Sequence, residues 1–337
     1  MYCIDRSTME TKTDLASLTM LPLSEIMTAK KTMEGVIMRT PLVPLNLTDE
    51  NSDKKIYLKL ENLHSSGSFK MRGAYNALCS IPDEKLRDGV YTASTGNFAL
   101  GLAWSCRKRG IKCTVIARCD SAKMKLETLG RLGAEVTIVS RETWYQVIAD
   151  RTYKDIKGTF IHPAVERTVI AGNGTIGVEI FEDLPQVDAV VVPYGGGGLT
   201  CGVGSALKAL KPSAKIYACE VETATPLKSA FLAGEPVVCE SQSGFVDGMG
   251  GNTVLPDMWN LVNNLVDETL VVSLEEICSA IRFVLERNHV VAEGAGGAPV
   301  AAALSGKIKE KNIVCIISGG NIDTDRLQTI LNGSVPI

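Results

Sequence analysis

Residues 189–199 read Ala189-Val190-Val191-Val192-Pro193-Tyr194-Gly195-Gly196-Gly197-Gly198-Leu199. The apolar run predicts a buried strand, and the segment Leu199–Leu210 after the glycines predicts a helix. Glycines let backbone N–H groups approach an anion without Cβ obstruction, and a helix N-terminus favours negative charge. This strand–glycine–helix stretch therefore predicts an α/β fold with a phosphate site at the carboxyl end of a strand.

Strands and helices alternate on both sides of that stretch, after an irregular arm predicted at residues 1–20. Such alternation is typical of parallel sheets, and we expect two α/β domains with a ligand cleft between them. The predicted strands are Lys55–Leu60, Val90–Ala93, Lys112–Ile116, Glu135–Val139, Thr159–Ile161, Ala189–Pro193, Lys215–Cys219, Thr269–Val272 and Ile313–Ile317. The predicted helices are Ser24–Glu34, one from Ser68 to Leu78, Asn97–Lys108, Ser121–Leu132, Glu142–Asp155, Gly174–Phe181, Leu199–Leu210, Leu274–Arg287 and Gly297–Leu304.

Composition narrows the class of protein. The 337 residues are 45% hydrophobic and 22% charged, with a net charge of −3 and no basic stripe, which argues against a disordered chain and against nucleic-acid or membrane binding. The ten cysteines are scattered without a C-x-x-C pair, and the chain has only three histidines, which argues against a zinc site. We expect a cytoplasmic protein, since the cysteines read as small buried hydrophobes and the N-terminus has no apolar signal core.

A lysine opens a predicted helix within the motif Ser65-Ser66-Gly67-Ser68-Phe69-Lys70-Met71-Arg72-Gly73-Ala74. The plain interpretation is a surface lysine in a capped helix. However, the positive end of a helix dipole disfavours a cation, whereas a lysine tied up as an imine escapes that objection. The same position lowers the pKa of the amine, as a covalently reactive lysine needs.

Two further motifs follow predicted strands. Ser94-Thr95-Gly96-Asn97 offers two hydroxyls and free helix N–H groups, which suits a carboxylate cradle or an ordinary N-cap. Ser318-Gly319-Gly320-Asn321 puts one hydroxyl at a strand end beside permissive backbone. Each motif alone is weak.

The glycine run also admits a dinucleotide interpretation. Glu220 ends the next predicted strand, where a ribose-binding acid would lie. The G-x-G-x-x-G spacing fails, however, because Thr200 occupies the position of the last glycine, and no G-x-x-x-x-G-K-[ST] exists. A nicotinamide-dependent dehydrogenase and a non-catalytic cofactor-binding protein both stay open as rival functions.

Taken in order, the four motifs resemble the fold-type II pyridoxal-phosphate enzymes, nearest to their threonine/serine dehydratase and serine racemase branch. The resemblance runs from Arg39-Thr40-Pro41-Leu42 to about residue 325, with smaller matches at His162-Pro163, Ile170–Thr175, Asp247-Gly248 and Glu293. It implies two parallel-sheet α/β domains: a large cofactor-binding domain of residues 1–87 plus 164–337 and a small inserted domain of residues 88–163. It also implies the catabolic or racemase type, without a C-terminal regulatory domain. Apolar residues of the N-terminal helix and of Leu255–Leu265 offer a seam for the homodimer that we expect.

The resemblance further implies an activity and a set of site residues. The enzyme would use pyridoxal 5′-phosphate to convert a 3-hydroxy amino acid to a 2-oxo acid and ammonia, with Lys70 as covalent attachment and base. The alternative is a serine-type racemase with Lys70 and Thr95 as opposed bases. The implied cofactor contacts are Phe69, Lys70, Asn97, Gly195, Gly196, Gly197, Gly198, Leu199 and Ser318, and the implied substrate contacts are Ser94, Thr95, Gly96 and Asn97.

Several positions depart from the branch. Thr95 stands where racemases of this branch carry serine and where many dehydratases carry alanine. Phe98 stands where the branch commonly has a histidine, and Ala164 stands where it often has an aromatic residue. These changes point to a less usual 3-hydroxy amino acid as substrate, with side-chain contacts around Ser243–Met249. Glu220 matches one ligand of the branch's Mg²⁺ or Ca²⁺ site, while no carboxylate stands near Thr225-Pro226.

Overall fold

The computed structural model describes residues 14–47, 53–121, 123–242 and 244–336. Most of the predicted N-terminal arm, and Ser243 of the predicted side-chain contacts, lie outside these residues. The described end of the arm is not loose, because Asp14–Ser17 forms a short 3-10 helix and Leu15 is only 1% exposed. Its burial shows that the chain packs from Asp14 onwards.

The larger of two sheets has six strands in the order β1-β2-β10-β7-β8-β9. All neighbours in it run parallel except β1, which pairs antiparallel with β2 at the edge. Its central strand β7 is buried throughout, as a strand covered on both faces must be. Its strands are β1 (Leu42–Pro44), β2 (Lys55–Lys59), β7 (Ala189–Pro193), β8 (Lys215–Val221), β9 (Glu268–Val272) and β10 (Asn312–Ile316).

The smaller sheet has four parallel strands in the order β5-β4-β3-β6. They are β3 (Val90–Ala93), β4 (Cys113–Arg118), β5 (Glu135–Val139) and β6 (Thr159–Phe160). Two α/β units built on parallel sheets confirm the predicted fold class. All four strands lie between residues 90 and 160, but the domain limits at residues 88 and 163 stay a prediction.

Thirteen α-helices occur in the described part of the chain, and none of them is both long and apolar enough to cross a membrane. They are α1 (Leu23–Met33), α2 (Lys70–Ser80), α3 (Asp83–Leu86), α4 (Asn97–Arg109), α5 (Lys123–Arg131), α6 (Arg141–Asp150), α7 (Arg167–Asp183), α8 (Gly198–Leu210), α9 (Pro226–Ala233), α10 (Pro256–Leu265), α11 (Leu274–Asn288), α12 (Gly294–Leu304) and α13 (Thr324–Leu331).

The helices differ from the predictions where glycine lies inside a helix and where proline begins one. α7 begins at Arg167 rather than Gly174, because its glycines allow close packing instead of breaking the helix: a Cβ on Gly172 would lie 2.7 Å from the Arg72 carbonyl oxygen. α9 and α10 were not predicted, and each begins with a proline, which is favoured at a first helical position. α6 ends at Asp150, before the predicted Asp155, since Arg151 takes a left-handed conformation (φ 56°).

Helix α2 links the two sheets. Its residues Ala74, Ala77 and Leu78 pack into the core of the small sheet, with α4 and β3. Its first turn faces the other way, since Arg72 forms ion pairs with groups of the larger unit. The start of α2 therefore lies where both units meet.

Candidate active site

Lys70 is the first residue of α2, as predicted, and its amine lies among apolar groups. Nζ donates to the carbonyl oxygen of Pro163 at 3.3 Å, and lies 5.1 Å from the ring centroid of Phe69 and 5.9 Å from that of Phe98. Burial lowers the pKa of Lys70 to about 8, against an opposing effect of the Glu293 carboxylate. A sizeable fraction of the amine is therefore neutral near physiological pH.

The Lys70 motif and the Ser318 motif are held together by backbone hydrogen bonds. Phe69 N donates to Ser318 O at 3.0 Å, and Gly320 N donates to Gly67 O at 2.9 Å. Gly67 is left-handed (φ 75°), and a Cβ there would overlap the Asn321 side chain, so both features require glycine. Ser318, which follows the end of β10, is consequently buried beside the backbone that precedes Lys70.

Asn97, the first residue of α4, joins three parts of the site. Its Nδ2 donates to Glu293 Oε1 at 2.7 Å, and its Oδ1 accepts from Asn321 Nδ2 at 2.8 Å. These two bonds fix the orientation of the amide and leave it the capacity to donate one more N–H. Asn97 can therefore act toward a ligand as a donor.

Glu293 entered the sequence interpretation only as a minor match, yet it lies at the centre of this cluster. It is the N-cap of α12, and a Cβ on Gly319 would overlap its carboxyl group. Burial and the nearby Asp247 carboxylate raise the pKa of Glu293 to about 8, although the Asn97 hydrogen bond lowers it. The side chain is therefore mostly a neutral acid at pH 7.

The glycine run forms the predicted loop between β7 and α8. Gly197 is left-handed (φ 84°), and a Cβ on Gly195 would lie 2.7 Å from Gly248 O. Gly195 and Gly196 reach the surface, whereas Gly197 and Gly198 are buried at the N-terminus of α8. The first N–H groups of a helix have no intrahelical partner, so this loop is a cradle for an anion.

A short turn connects the glycine loop to Lys70. Pro163 accepts the Lys70 hydrogen bond, and a Cβ added to Gly196 would lie 2.8 Å from the Cβ of Ala164. The carbonyl oxygen of Ala164 would lie 3.1 Å from a Cβ on Gly198. The structure therefore brings the predicted lysine and the predicted phosphate loop into one site.

The loop Ser94-Thr95-Gly96 follows β3 and enters α4, so its carboxyl-end position agrees with the prediction. All three residues are half-buried, and the Ser94 hydroxyl accepts from Gly96 N at 3.4 Å. The next two residues of the chain contact the site directly, Asn97 through Glu293 and Phe98 through the amine of Lys70. The roles of Ser94, Thr95 and Gly96 in substrate binding stay predictions.

Glu220 serves as a helix cap in the structure. Its two carboxylate oxygens accept the backbone N–H groups of Leu227 (2.7 Å) and Lys228 (2.9 Å) in the first turn of α9. Burial raises the pKa of Glu220 to about 7 against these hydrogen bonds. Within the described ranges, no three His, Cys, Asp or Glu side chains are grouped as a metal site, and binding of Mg²⁺ or Ca²⁺ at Glu220 stays a prediction.

A buried ionic cluster under the site was missed by sequence reasoning. Arg72, two residues after Lys70, contacts Glu61 through Nε (2.8 Å) and Nη2 (2.9 Å) and Glu179 through Nη1 (2.7 Å). Lys59 Nζ contacts Glu179 at 2.6 Å. The four charges balance, and the only available signal was the placement of charged residues inside otherwise apolar strands and helices.

Comparison with known proteins identifies the family. Residues 33–319 match the family model described as pyridoxal-phosphate dependent enzyme. The chain is 38% identical over 316 residues to the L-threonine ammonia-lyase of Thermotoga maritima, covering 93% of this chain and 79% of that protein. It is 34% identical over 324 residues to the catabolic L-threonine dehydratase of Staphylococcus aureus, covering 94% and 93%.

Structure comparison agrees. The maize serine racemase superposes with a TM-score of 0.86 at 30% identity, covering 93% of this chain and 97% of that one. The rival interpretation as a nicotinamide-dependent dehydrogenase is wrong, since the matched family is another one and both carboxylate oxygens of Glu220 accept backbone N–H groups of α9. The chain belongs to the pyridoxal-phosphate dependent enzymes.

Proposed function

We propose that this enzyme is a dehydratase (ammonia-lyase) that converts a 3-hydroxy amino acid of the threonine or serine type to a 2-oxo acid and ammonia. The observation that carries the proposal is the position of the Lys70 amine, partly neutral and joined through Pro163 and Ala164 to the glycine loop. Similarity to threonine ammonia-lyase and dehydratase over more than nine-tenths of the chain supports it.

The residues present fit pyridoxal phosphate. The glycine loop offers N–H groups to a phosphate, and the Thr200 hydroxyl in the first turn of α8 is buried without a partner among the described residues. Lys70 would attach the cofactor covalently beside the Phe69 ring. Asn97 would donate to the cofactor's 3′-oxygen, and the buried Ser318 hydroxyl would face its pyridine nitrogen. When bound, pyridoxal phosphate supplies the electron sink that stabilises negative charge at Cα.

The chain's own residues then position the substrate and move its proton. The hydroxyls of Ser94 and Thr95, with the N–H groups at the start of α4, would hold the substrate carboxylate. The neutral amine of Lys70 would take the Cα proton at Nζ. The β-hydroxyl would leave as water by taking up one proton, which balances the proton that Lys70 Nζ removed from Cα. The released enamine would react with water to give ammonia and the 2-oxo acid.

The Lys70→Ala variant tests the attachment. We expect the unmodified protein to carry a visible absorbance band of lysine-bound cofactor that this variant lacks. A screen of 3-hydroxy amino acids, with 2-oxo acid formation as readout, tests the reaction. A Lys70→Ala protein that kept the band, or an unmodified enzyme that released no 2-oxo acid from any of them, would contradict the proposal.

The racemase alternative rests on Thr95 and on the likeness to maize serine racemase. A hydroxyl on the α4 side of the cleft, opposed to Lys70, would protonate the second face of Cα. Chiral analysis of serine, threonine or aspartate after incubation decides between the two activities. Formation of the D-isomer faster than the 2-oxo acid would favour the racemase.

The substrate would be a less usual 3-hydroxy amino acid. Phe98 is 2% exposed and its ring, 5.9 Å from Lys70 Nζ, brings an apolar surface where the branch has a polar group. Ala164 is a small side chain packed on the glycine loop. An apolar ring beside Lys70 and a small side chain beside the glycine loop would suit a bulkier side chain than that of serine or threonine.

We also propose that the enzyme is a homodimer of the cytoplasm. Three methionines on and around α1, Met20, Met27 and Met38, are 39–44% exposed, and a subunit interface would cover them. The nine cysteines of the described chain are free thiols, which suits a reducing compartment. Light scattering coupled to size-exclusion chromatography tests the dimer, and a monomer mass at micromolar concentration would contradict it.

A further inference from the structure

The turn formed by His162, Pro163, Ala164 and Val165 lies between β6 and α7 and touches both halves of the site. Its Pro163 carbonyl oxygen accepts the Lys70 amine, and its Ala164 packs against the glycine loop. A shift of this turn would therefore displace the hydrogen-bond partner of the lysine. What holds the turn in place thus controls where the amine points.

The His162 ring holds the turn from inside. Its Nδ1 lies 3.1 Å from Ala164 N and 2.8 Å from Val165 N. Backbone N–H groups can only donate, so Nδ1 must accept and carries no proton. The ring is therefore the neutral tautomer with its hydrogen on Nε2, and a protonated Nδ1 would face two donors and break the turn.

The surroundings of His162 keep it neutral. The ring is 5% exposed and packs edge-on to Phe160, with ring centroids 6.3 Å apart. Burial, and after it the nearby cations Arg151 and Lys70, lower the pKa of His162 to about 3. The acceptor at Nδ1 is thus maintained over the pH range in which the enzyme would work.

We propose that His162 is a positioning residue, which fixes the Pro163 carbonyl as the acceptor that orients the free amine of Lys70 for proton removal at Cα. The inference rests on the proposed function of Lys70. A neutral amine that donates one N–H to Pro163 has its rotation restricted and its lone pair directed. When the lone pair takes the proton, the Cα–H bond breaks, an N–H bond forms at Nζ, and the bonding electrons stay on the substrate.

Two substitutions separate this role from simple packing. His162→Asn places an amide oxygen near the position of Nδ1, where it can accept the same two N–H groups, whereas His162→Leu offers no acceptor. We expect His162→Leu to lower kcat roughly 10- to 100-fold, the effect of losing one to two buried hydrogen bonds. KM should change little, and the isotope effect with Cα-deuterated substrate should rise, because proton removal becomes slower.

The conservative variant and a control complete the experiment. His162→Asn should keep kcat within a few-fold and the isotope effect of the unmodified enzyme. His289→Asn, at the left-handed C-cap of α11, should change neither, since asparagine tolerates that conformation (φ 58°). Equal losses in His162→Asn and His162→Leu, or an unchanged isotope effect in His162→Leu, would overturn the proposal.

A further measurement uses the unmodified holoenzyme. A variant is needed only to assign the signal of His162. Nitrogen NMR of 15N-histidine-labelled protein should show an unprotonated Nδ1 and a protonated Nε2 for His162, with no titration between about pH 5 and pH 9. A protonated Nδ1 would overturn the proposal. If instead the holoenzyme lacked the absorbance of lysine-bound cofactor, the proposed function would fail, while the NMR result would still decide the state of His162.

Discussion

Glu61 and Glu293 are two buried glutamates that act on the first turn of the Lys70 helix, and their surroundings drive one to the ionised state and the other to the neutral state. Burial alone would raise the pKa of Glu61, but the charge of Arg72 and the hydrogen bond from His64 outweigh it and hold that pKa well below the usual range. In the part of the chain that the structure describes, no cation forms an ion pair with Glu293, and burial raises its pKa to about 8.

The difference shows how one residue type supplies either structure or reactivity. The ionised Glu61 belongs to the cluster that anchors α2 through Arg72 and ties it to β2 and α7. The neutral Glu293 instead accepts from the Asn97 amide in the cleft, where its proton is exchangeable near physiological pH. A buried carboxylate that pairs with a cation stays ionised and stabilises the fold. A buried carboxylate without such a pair titrates near physiological pH beside the site.

Removal of the cation should have the largest effect. Arg72→Met leaves Glu61 and Glu179 facing each other without a guanidinium, and breaking a buried pair costs about 3–5 kcal/mol. We expect the thermal midpoint to fall by about 4–7 °C, with loss of cofactor absorbance in the fraction that unfolds. Calorimetry of the holoenzyme measures this.

Lys215→Met is the matched control, since it removes a cation from an ion pair with Asp267 in which the lysine side chain is 49% exposed. Exposed pairs contribute less than about 1 kcal/mol, so its midpoint should stay within about 3 °C. Equal shifts in the two variants would show that the buried cluster has no special weight.

The second prediction concerns acid sensitivity. Because the folded pKa of Glu61 is depressed, its ionised form stabilises the fold above the unfolded pKa, about 4.3, and this contribution is lost as pH falls. In Glu61→Gln that loss cannot occur, so the midpoint should be lower at pH 7 but should decline less steeply between about pH 5 and pH 3. A slope identical to that of the unmodified protein would show that Glu61 is not ionised in the fold.

Sequence patterns predicted the parts of the site that depend on local order. The glycine loop, Lys70 at a helix start and Asn97 at another each lie within one strand–loop–helix segment, and local spacing signals them. The ionic cluster could not be predicted in this way, because Glu61 and Glu179 meet Arg72 only through tertiary packing. The tautomer of His162 likewise depends on a turn geometry that spacing does not encode.

The helices that were predicted wrongly or not at all also depend on tertiary packing. The predicted helix begins only at Gly174, yet α7 already contains Gly172, and both glycines allow other backbone to approach closely: a Cβ on Gly174 would lie 3.0 Å from Gly202 O. The predictions contain no helix at Pro226 or Pro256, although each of these prolines opens one. The local preference of a glycine or a proline is compatible with more than one structure, and the elements that pack against it decide which structure forms.

The third prediction reverses the sign of the second. Since the folded pKa of Glu293 is raised, the unfolded chain binds fewer protons than the folded one between about pH 4.3 and pH 8, and stability falls as pH rises through that window. Glu293→Gln removes this dependence while keeping an acceptor for Asn97. Its midpoint should equal that of the unmodified protein at about pH 5 and exceed it by a few degrees at about pH 8. A variant that was less stable at pH 8 would show that Glu293 is ionised.

The smallest effect should come from Asp247, whose carboxylate adds to the raised pKa of Glu293 and pairs with Lys125 at 2.9 Å. Asp247→Asn removes the negative charge and frees the cation, and both changes lower the pKa of Glu293. The pH at which the stability curve levels off should therefore move down by less than about one unit. Asp257→Asn is the control, because that carboxylate pairs with Arg151 instead. A downward shift in Asp247→Asn alone would show that the neutral state of Glu293 is set by its particular charged neighbours as well as by burial, whereas an upward shift would contradict the assignment.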